Sequence, residues 1–378
     1  MIELEGVTKV YPDGTEAVDD IDLSISEGEL CVLLGPSGCG KTTTMKMINR
    51  LIPISEGRIF IDGTDNQELD ENELRRDIGY AIQEIGLFPH MTVAENIATV
   101  PHLKCWDKGE ARERAAELLD LIGMDPEEHM EKYPAELSGG QRQRVGVARS
   151  LGADPPIMLM DEPFGAIDPI TRDRLQDEFL KIQAEIQKTI VFVTHDINEA
   201  IKMGTKVALM KDGKLVQYSS PAELLSQPKN QFVRNFVGTD RTLKSMRLIQ
   251  AKDAMKPCPI SVHRDSDVEH VRERMKEEEV EYLMVTDKDN QFIGWIEIWD
   301  LETNEVDSIS EVLREDVGSV SPETPLSDAL SVMLEEDVAN IPVLQEGGEL
   351  EGILTFNDLQ KVIGETYTEK GGGSGISS

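Results

Sequence analysis

Gly35-Pro-Ser-Gly-Cys-Gly-Lys-Thr42 follows directly on the apolar run Cys31-Val-Leu-Leu34. The stretch fits the spacing G-x-x-x-x-G-K-[ST], and its context predicts a buried strand, a tight glycine loop and the start of a helix. Phosphate oxygens need several converging N–H donors, and glycine lets the backbone come that close. The helix that begins there adds its positive end. Lys41 is expected to bridge the β- and γ-phosphates of a nucleoside triphosphate. The Thr42 hydroxyl is expected to ligate Mg²⁺, and Thr43 to lie near the α-phosphate. Ser37, Gly38, Cys39 and Gly40 complete the cradle.

Two more short apolar runs, Ile157-Met-Leu-Met160 and Ile190-Val-Phe-Val193, each lead into a polar loop. Runs of this kind read as strands buried on both faces of a parallel sheet. Such a sheet carries its reactive residues at the strands' C-terminal ends. Residues 1–30 and 55–65 alternate in polarity and predict an antiparallel β flank, and 100–150 reads as mostly helical. Asp161 and Glu162 end the second run. Adjacent carboxylates there point different ways, so Asp161 can serve a metal while Glu162 faces water as a general base.

The chain has 378 residues, enough for two or three domains, and a formal charge of −34. That charge repels phosphate backbones and argues against nucleic acid as a partner. Residues 241–378 hold 30 acidic and 13 basic residues, a net of −17. An acidic, well-hydrated surface and a host with a salty cytoplasm both account for the excess. No apolar run reaches the length of a membrane span, and Met1-Ile-Glu-Leu-Glu5 has none of the marks of a secretory signal. Cys31, Cys39, Cys105 and Cys258 form neither CxxC nor zinc spacing, which suits idle thiols in a reducing cytosol.

Leu137-Ser-Gly-Gly-Gln141, about twenty residues before Met160-Asp-Glu-Pro163, adds a second glycine-opened helix start aimed at an anion. With it, residues 1–240 resemble the nucleotide-binding subunit of an ATP-binding cassette (ABC) transporter. The resemblance implies a parallel core sheet with an antiparallel flank and a helical subdomain, and a head-to-tail dimer of this chain closing over ATP. Ser138 and Gly140 would then contact the γ-phosphate held by the opposite copy. Gln83 matches the loop that senses Mg²⁺ and water and connects to the membrane subunit. His195, in Val193-Thr-His-Asp196, matches the switch histidine, and Asp168 the loop coupling the two sites. Tyr11 matches the aromatic that stacks on adenine. DNA-repair and chromosome members carry a long coiled coil between Gln83 and the signature, and translation-type members two cassettes. This chain has a gap of 54 residues and one cassette.

Residues 241–250 read as a linker. Beyond it the chain repeats at an offset of 58: Val262 aligns with Val320, Met275 with Met333, Gly294 with Gly352 and Asp300-Leu301 with Asp358-Leu359. The copies, 251–308 and 309–367, resemble a tandem pair of CBS motifs of α+β fold, and 368–378 reads as a flexible tail. In that family the ending Thr355-Phe-Asn-Asp358 can hold ribose and phosphate, so Thr355 and Asp358 are candidate ligand residues for an adenine nucleotide or cyclic dinucleotide; a structural role or a response to ionic strength is the other reading. The first copy has Glu297-Ile-Trp-Asp300, where a carboxylate repels phosphate.

An ABC ATPase fused to two CBS motifs resembles the subunit that powers osmoprotectant import: glycine betaine, proline betaine, choline or carnitine. The segment Gly86-Leu-Phe-Pro-His90 is similar to the same importers. The resemblance implies permease subunits as partners, an extracellular substrate-binding protein indirectly, and a place on the cytoplasmic face of the membrane. Two other readings stay open: an importer of another small nutrient such as an amino acid, and a CBS-regulated nucleotide-sensing ATPase without transport. Lys202, Lys206, Lys211 and Lys214 form the densest basic cluster, read as a solvated hairpin or a contact for acidic lipid or the CBS half.

Overall fold

The computed structural model describes residues 1–81, 86–165, 167–257, 260–278, 280, 282–303, 306–315 and 317–368. The chain divides into two units, Met1–Gly238 and Thr239–Ser378.

In the first unit, β1 (Ile2–Val10), β2 (Glu16–Ile25), β4 (Glu56–Ile61) and β5 (Thr64–Asp65) make an antiparallel sheet in the order β2-β1-β4-β5. The predicted flank is therefore present. The remaining strands are β3 (Leu30–Leu34), β6 (Ile78–Ala81), β7 (Ile157–Asp161), β8 (Thr189–Thr194), β9 (Lys206–Lys211) and β10 (Lys214–Ser219). They form a second sheet in the order β10-β9-β3-β8-β7-β6, parallel except for β10. Every residue of β3, β7 and β8 is buried, as continuous apolar strands covered on both faces require. Leu4, Ile25 and Ile59 from the flank share one core with Leu33, Leu159 and Val193 from the parallel sheet. Fully burying one such side chain contributes about 1.5–3 kcal/mol.

Register then sets the site. Leu34 pairs with Thr194 and Asp161 with Val193, so β3, β7 and β8 end level with one another. The helical stretch between β6 and β7 includes Val93–Ile97, Lys108–Leu121 and Gly139–Leu151.

The second unit contains the duplication. β12 (Ser261–His263), β13 (Tyr282–Thr286) and β14 (Phe292–Glu297) form one sheet; β11 (Lys256–Pro257), β16 (Leu350–Thr355) and β15 (Asn340–Leu344) form the other. Val262 pairs with Val285 and Val320 with Val343, both in parallel, which reproduces the 58-residue offset in space. The leading segments, however, are exchanged between the copies. Lys256 pairs with Ile353 of the second copy, and Arg314 pairs with Trp295 of the first. Residues 241–250, read as a linker, hold the helix Arg241–Met246, and Met246 is buried in the core of the second copy with Ala251, Leu326 and Met333. Residues 369–378, nearly all of the tail read from 368, lie outside the described residues.

Candidate functional site

The glycine loop runs from the end of β3 to the helix Lys41–Ile48. Glycine is required at two points by backbone contact. Gly35 has φ 148°, and a Cβ there would stand 2.2 Å from the Met210 carbonyl oxygen. Gly40 has φ 103°, and a Cβ would stand 2.4 Å from the Ala17 carbonyl oxygen. Cys39 is buried beneath the loop, and burial pushes its thiol above the usual range. Pro36, Ser37 and Gly38 form an exposed crest. Lys41 Nζ donates to the carbonyl oxygens of Gly35 (2.7 Å) and Pro36 (2.9 Å). Thr43 is half-buried in the first turn of the helix.

Across 119 residues of sequence, Thr42 Oγ1 donates to Asp161 Oδ1 at 3.0 Å. Asp161 is 7% exposed. Burial raises its pKa and the neighbouring Glu162 charge adds to the shift, against the Thr42 hydrogen bond, Lys46 and Lys41. A hydroxyl and a carboxylate oxygen side by side are a hard-oxygen pair suited to Mg²⁺.

Glu162 begins the loop after β7 with φ 45°, a left-handed conformation uncommon outside glycine. Its N–H donates to Val193 O at 3.0 Å, which carries the pairing one residue past the strand. Its Oε1 lies 3.1 Å from His195 Nδ1, just beyond β8. Strained backbone of this sort collects at functional sites.

Asp168 caps the helix Pro169–Ile186 by accepting from Thr171 N, and this backbone hydrogen bond holds its carboxyl below the usual range. Ser138 caps the helix Gly139–Leu151 in a reciprocal box with Gln141. A Cβ at Gly139 would meet nothing within 4 Å, and one at Gly140 would meet Thr171 Cγ2 at 3.8 Å. Among the described residues, no hydrogen bond or ion pair joins Ser138–Gln141 to residues 35–43. Tyr11 lies in the β1–β2 turn with Lys9 Nζ 5.3 Å from its ring centre. Gln83 lies outside the described residues.

Three residues of this unit carried no clear signal in the sequence. Arg149, at the far end of the signature helix, donates to Gly86 O and lies 4.6 Å over the Phe88 ring. The buried Asn96 accepts from Phe88 N at 2.7 Å and donates to the carbonyls of Phe88, Met91 and Thr92. Together they fasten the segment after Gln83 to the helix that Ser138 starts. His129 is the third, and it touches Gln141. The lysine cluster, by contrast, is largely neutralised. Lys202 pairs with Asp173 and Asp177, Lys214 with Asp19 and Lys211 with Asp212, while Lys211 also covers Phe232.

In the second unit, Thr355 and Asp358 cap the last helix reciprocally. Thr355 Oγ1 donates to Asp358 Oδ2 at 2.6 Å, and Asp358 N to Thr355 Oγ1 at 3.2 Å. Asp358 Oδ1 faces Lys256 and Lys361 at 3.9 and 3.7 Å. Beside them a cleft is lined by Lys256, Ile260, Val280, Tyr282, Ile353 and Thr355. At the equivalent place in the first copy, Arg314 bonds both Glu297 (2.8 Å) and Asp300 (2.9 Å). The buried Trp295 stands where the second copy has Ile353, packed with Val317 and Val338. The copies thus differ at these offset positions: Lys256 and Ile353 line the cleft, and an ion-paired Arg314 and the indole of Trp295 stand at the equivalent positions.

A glycine loop joined by Thr42 to Asp161, with Glu162 beside His195 on level strand ends, defines a P-loop ATPase. The ABC transporter family matches residues 18–165, and the CBS domain family matches 251–303 and 309–365. The chain is 47% identical over 366 residues to the glycine betaine/carnitine/choline transport ATP-binding protein OpuCA of Bacillus subtilis, covering 96% of each chain. It is 46% identical over 367 residues to the choline transport ATP-binding protein OpuBA of the same organism, again covering 96% of each. Among solved structures it is similar to the ATP-binding cassette MJ0796 in a dimeric post-hydrolysis state bound to ADP and Pi. That likeness has a TM-score of 0.53 and 37% identity, over 58% of this chain and 99% of that one. The chain belongs to the family of ATP-binding subunits of ABC-type osmoprotectant importers, with a C-terminal pair of CBS domains.

Proposed function

We propose that two copies of this chain bind two ATP molecules head to tail, and that closure and hydrolysis drive import of a quaternary-ammonium compatible solute through membrane-spanning partners. The observation that carries the reading is the joining, on level strand ends, of Thr42 to Asp161 and of Glu162 to His195. Ser37–Thr43 wrap the phosphates of one ATP, with Lys41 released from its carbonyls to the β- and γ-phosphates. Thr42 and Asp161, with Gln83, would hold Mg²⁺, which when bound would supply positive charge beside the transferred phosphoryl group. Glu162 takes the proton of the attacking water, and His195 orients that carboxylate and the γ-phosphate. Ser138 and Gly140 of the second copy close the cage, Asp168 couples the two sites, and closure excludes water. Tyr11 offers adenine the ring face that Lys9 does not cover.

The relatives' names support the solute class, and Arg149 and Asn96 give the segment after Gln83 a rigid seat against a membrane subunit. No helix among the described residues is long and apolar enough to cross a membrane, so the chain reaches the membrane's inner face through its permease partners. A substrate-binding protein outside the cell delivers the solute to them. The open CBS cleft takes an adenine nucleotide or cyclic dinucleotide, with Lys256 and Lys361 meeting phosphate and Asp358 meeting ribose.

Reconstitution with the permease subunits tests the proposal. ATP-dependent, saturable uptake of labelled glycine betaine or choline is expected. Uptake of amino acids alone, or hydrolysis that never associates with a membrane subunit, contradicts it. In the same vesicles cyclic di-AMP or AMP is expected to alter uptake, and Lys256→Glu to remove the response.

A further inference from the structure

His129 is 6% exposed and lies at the end of the short helix Pro126–His129, twelve residues before Gln141. Its ring nitrogens are both engaged. Nδ1 is 2.9 Å from the Asp125 carbonyl oxygen, and Nε2 is 3.3 Å from Gln141 Nε2. The chemistry of the partners fixes the protons. A carbonyl only accepts, so Nδ1 donates to it. The other end of the Gln141 amide accepts from Ser138 N at 2.9 Å, so that end is Oε1 and the end facing His129 is the NH₂. An NH₂ only donates, so this geometry makes Nε2 its acceptor; the Glu128 carboxylate lies farther from Nε2, at 3.7 Å. Gln141 N closes the chain by donating to Ser138 Oγ at 3.2 Å.

The turn that carries His129 is itself anchored. Met130 O and Lys132 O accept from Ala94 N and Val93 N of the helix Val93–Ile97. The line runs from a fixed turn through His129 and the Gln141 amide to the backbone and hydroxyl of Ser138. We propose that His129 is a positioning residue for ATP closure: as a hydrogen-bond acceptor it orients the Gln141 side chain, which sets Ser138 for the γ-phosphate held by the second copy. The proposal rests on the two-copy reading above.

The test uses the full chain carrying Glu162→Gln, which holds ATP without turning it over, and follows ATP-driven dimerisation by analytical ultracentrifugation. His129→Phe keeps ring volume and burial but loses the acceptor. It is expected to raise the protein concentration needed for dimerisation roughly 25-fold, about fivefold for one neutral hydrogen bond at each of the two sites. ATP affinity at the chain's own P-loop is expected to stay unchanged. His129→Gln, whose amide oxygen can accept from Gln141, is expected to recover most of the loss. In a Gln141→Ala background His129→Phe is expected to add less than about twofold, because coupled residues are not additive. If His129→Phe does not fold, His129→Asn, too short to reach Gln141, takes its place. An equal loss with and without Gln141, or no loss at all, overturns the positioning role. A parent protein that does not dimerise with ATP marks failure of the two-copy reading, and the positioning role falls with it.

Discussion

Glu162→Gln is expected to bind ATP as the wild type does and to lose turnover by at least ~10²-fold, the scale of a missing general base. Binding survives because the phosphate cradle, Lys41 and Thr42 belong to a different loop, built on β3. The fold survives because glutamine has the same size and meets the same left-handed backbone at φ 45°. What is lost is a carboxylate able to take a proton beside His195, 3.1 Å away. The amide keeps a hydrogen-bonding oxygen but has no basic lone pair at neutral pH. Phosphate release in the steady state measures turnover, and titration with a fluorescent ATP analogue measures binding. Near-normal turnover in this variant overturns the assignment of the base.

Asp161→Asn is expected to raise thermal stability while cutting Mg²⁺-dependent turnover by about 10²-fold. Burial is the first cause that raises the Asp161 pKa, and the Glu162 charge is another. A carboxyl whose folded pKa lies above its unfolded value binds its proton more tightly in the folded state. Its stabilising contribution is fully present below the unfolded pKa and is lost as pH rises through the folded one. At pH 7 the ionised Asp161 is therefore a cost, which the neutral amide removes. The melting temperature without Mg²⁺ is expected to exceed that of wild type by about 2 °C at pH 7. The gap is expected to close as pH falls toward the range where Asp161 is protonated in both states. Calorimetry across pH checks this, and a lower melting temperature for the variant at pH 7 contradicts it. The residue illustrates a stability–activity trade-off, since the same buried charge that weakens the empty fold suits a divalent cation.

The parts of the molecule that were legible in the sequence are those whose physics is local. Gly35 and Gly40 announce a loop because no other residue fits their backbone, and the runs at 31–34, 157–160 and 190–193 announce buried strands by length and composition alone. The duplication was legible from its constant offset. What that offset does not contain is which copy each leading segment joins. The exchange of Lys256 and Arg314 between copies depends on pairings of Lys256 with Ile353, about a hundred residues away, and of Arg314 back with Trp295. Arg314 reaches Glu297 through that exchange, so Glu297 alone revealed the repulsion but not its answer in Arg314. The lysines at 202–214 looked like a patch because their neutralising partners, Asp19, Asp173 and Asp177, are distant in sequence. Met246 and His129 belong to short helices whose burial is decided by packing, not by periodicity.

In the proposed dimer each ATP is enclosed by the P-loop of one copy and the signature of the other. Mixing two inactive variants tests it directly. Lys41→Ala spoils the P-loop and Ser138→Arg spoils the signature, so homodimers of either hold no complete site. In a head-to-tail dimer, pairing one with the other restores one intact site of two. Random mixing makes half the dimers mixed, so hydrolysis is expected to recover to about a quarter of wild type. Mixtures that stay as inactive as the separate variants contradict the account.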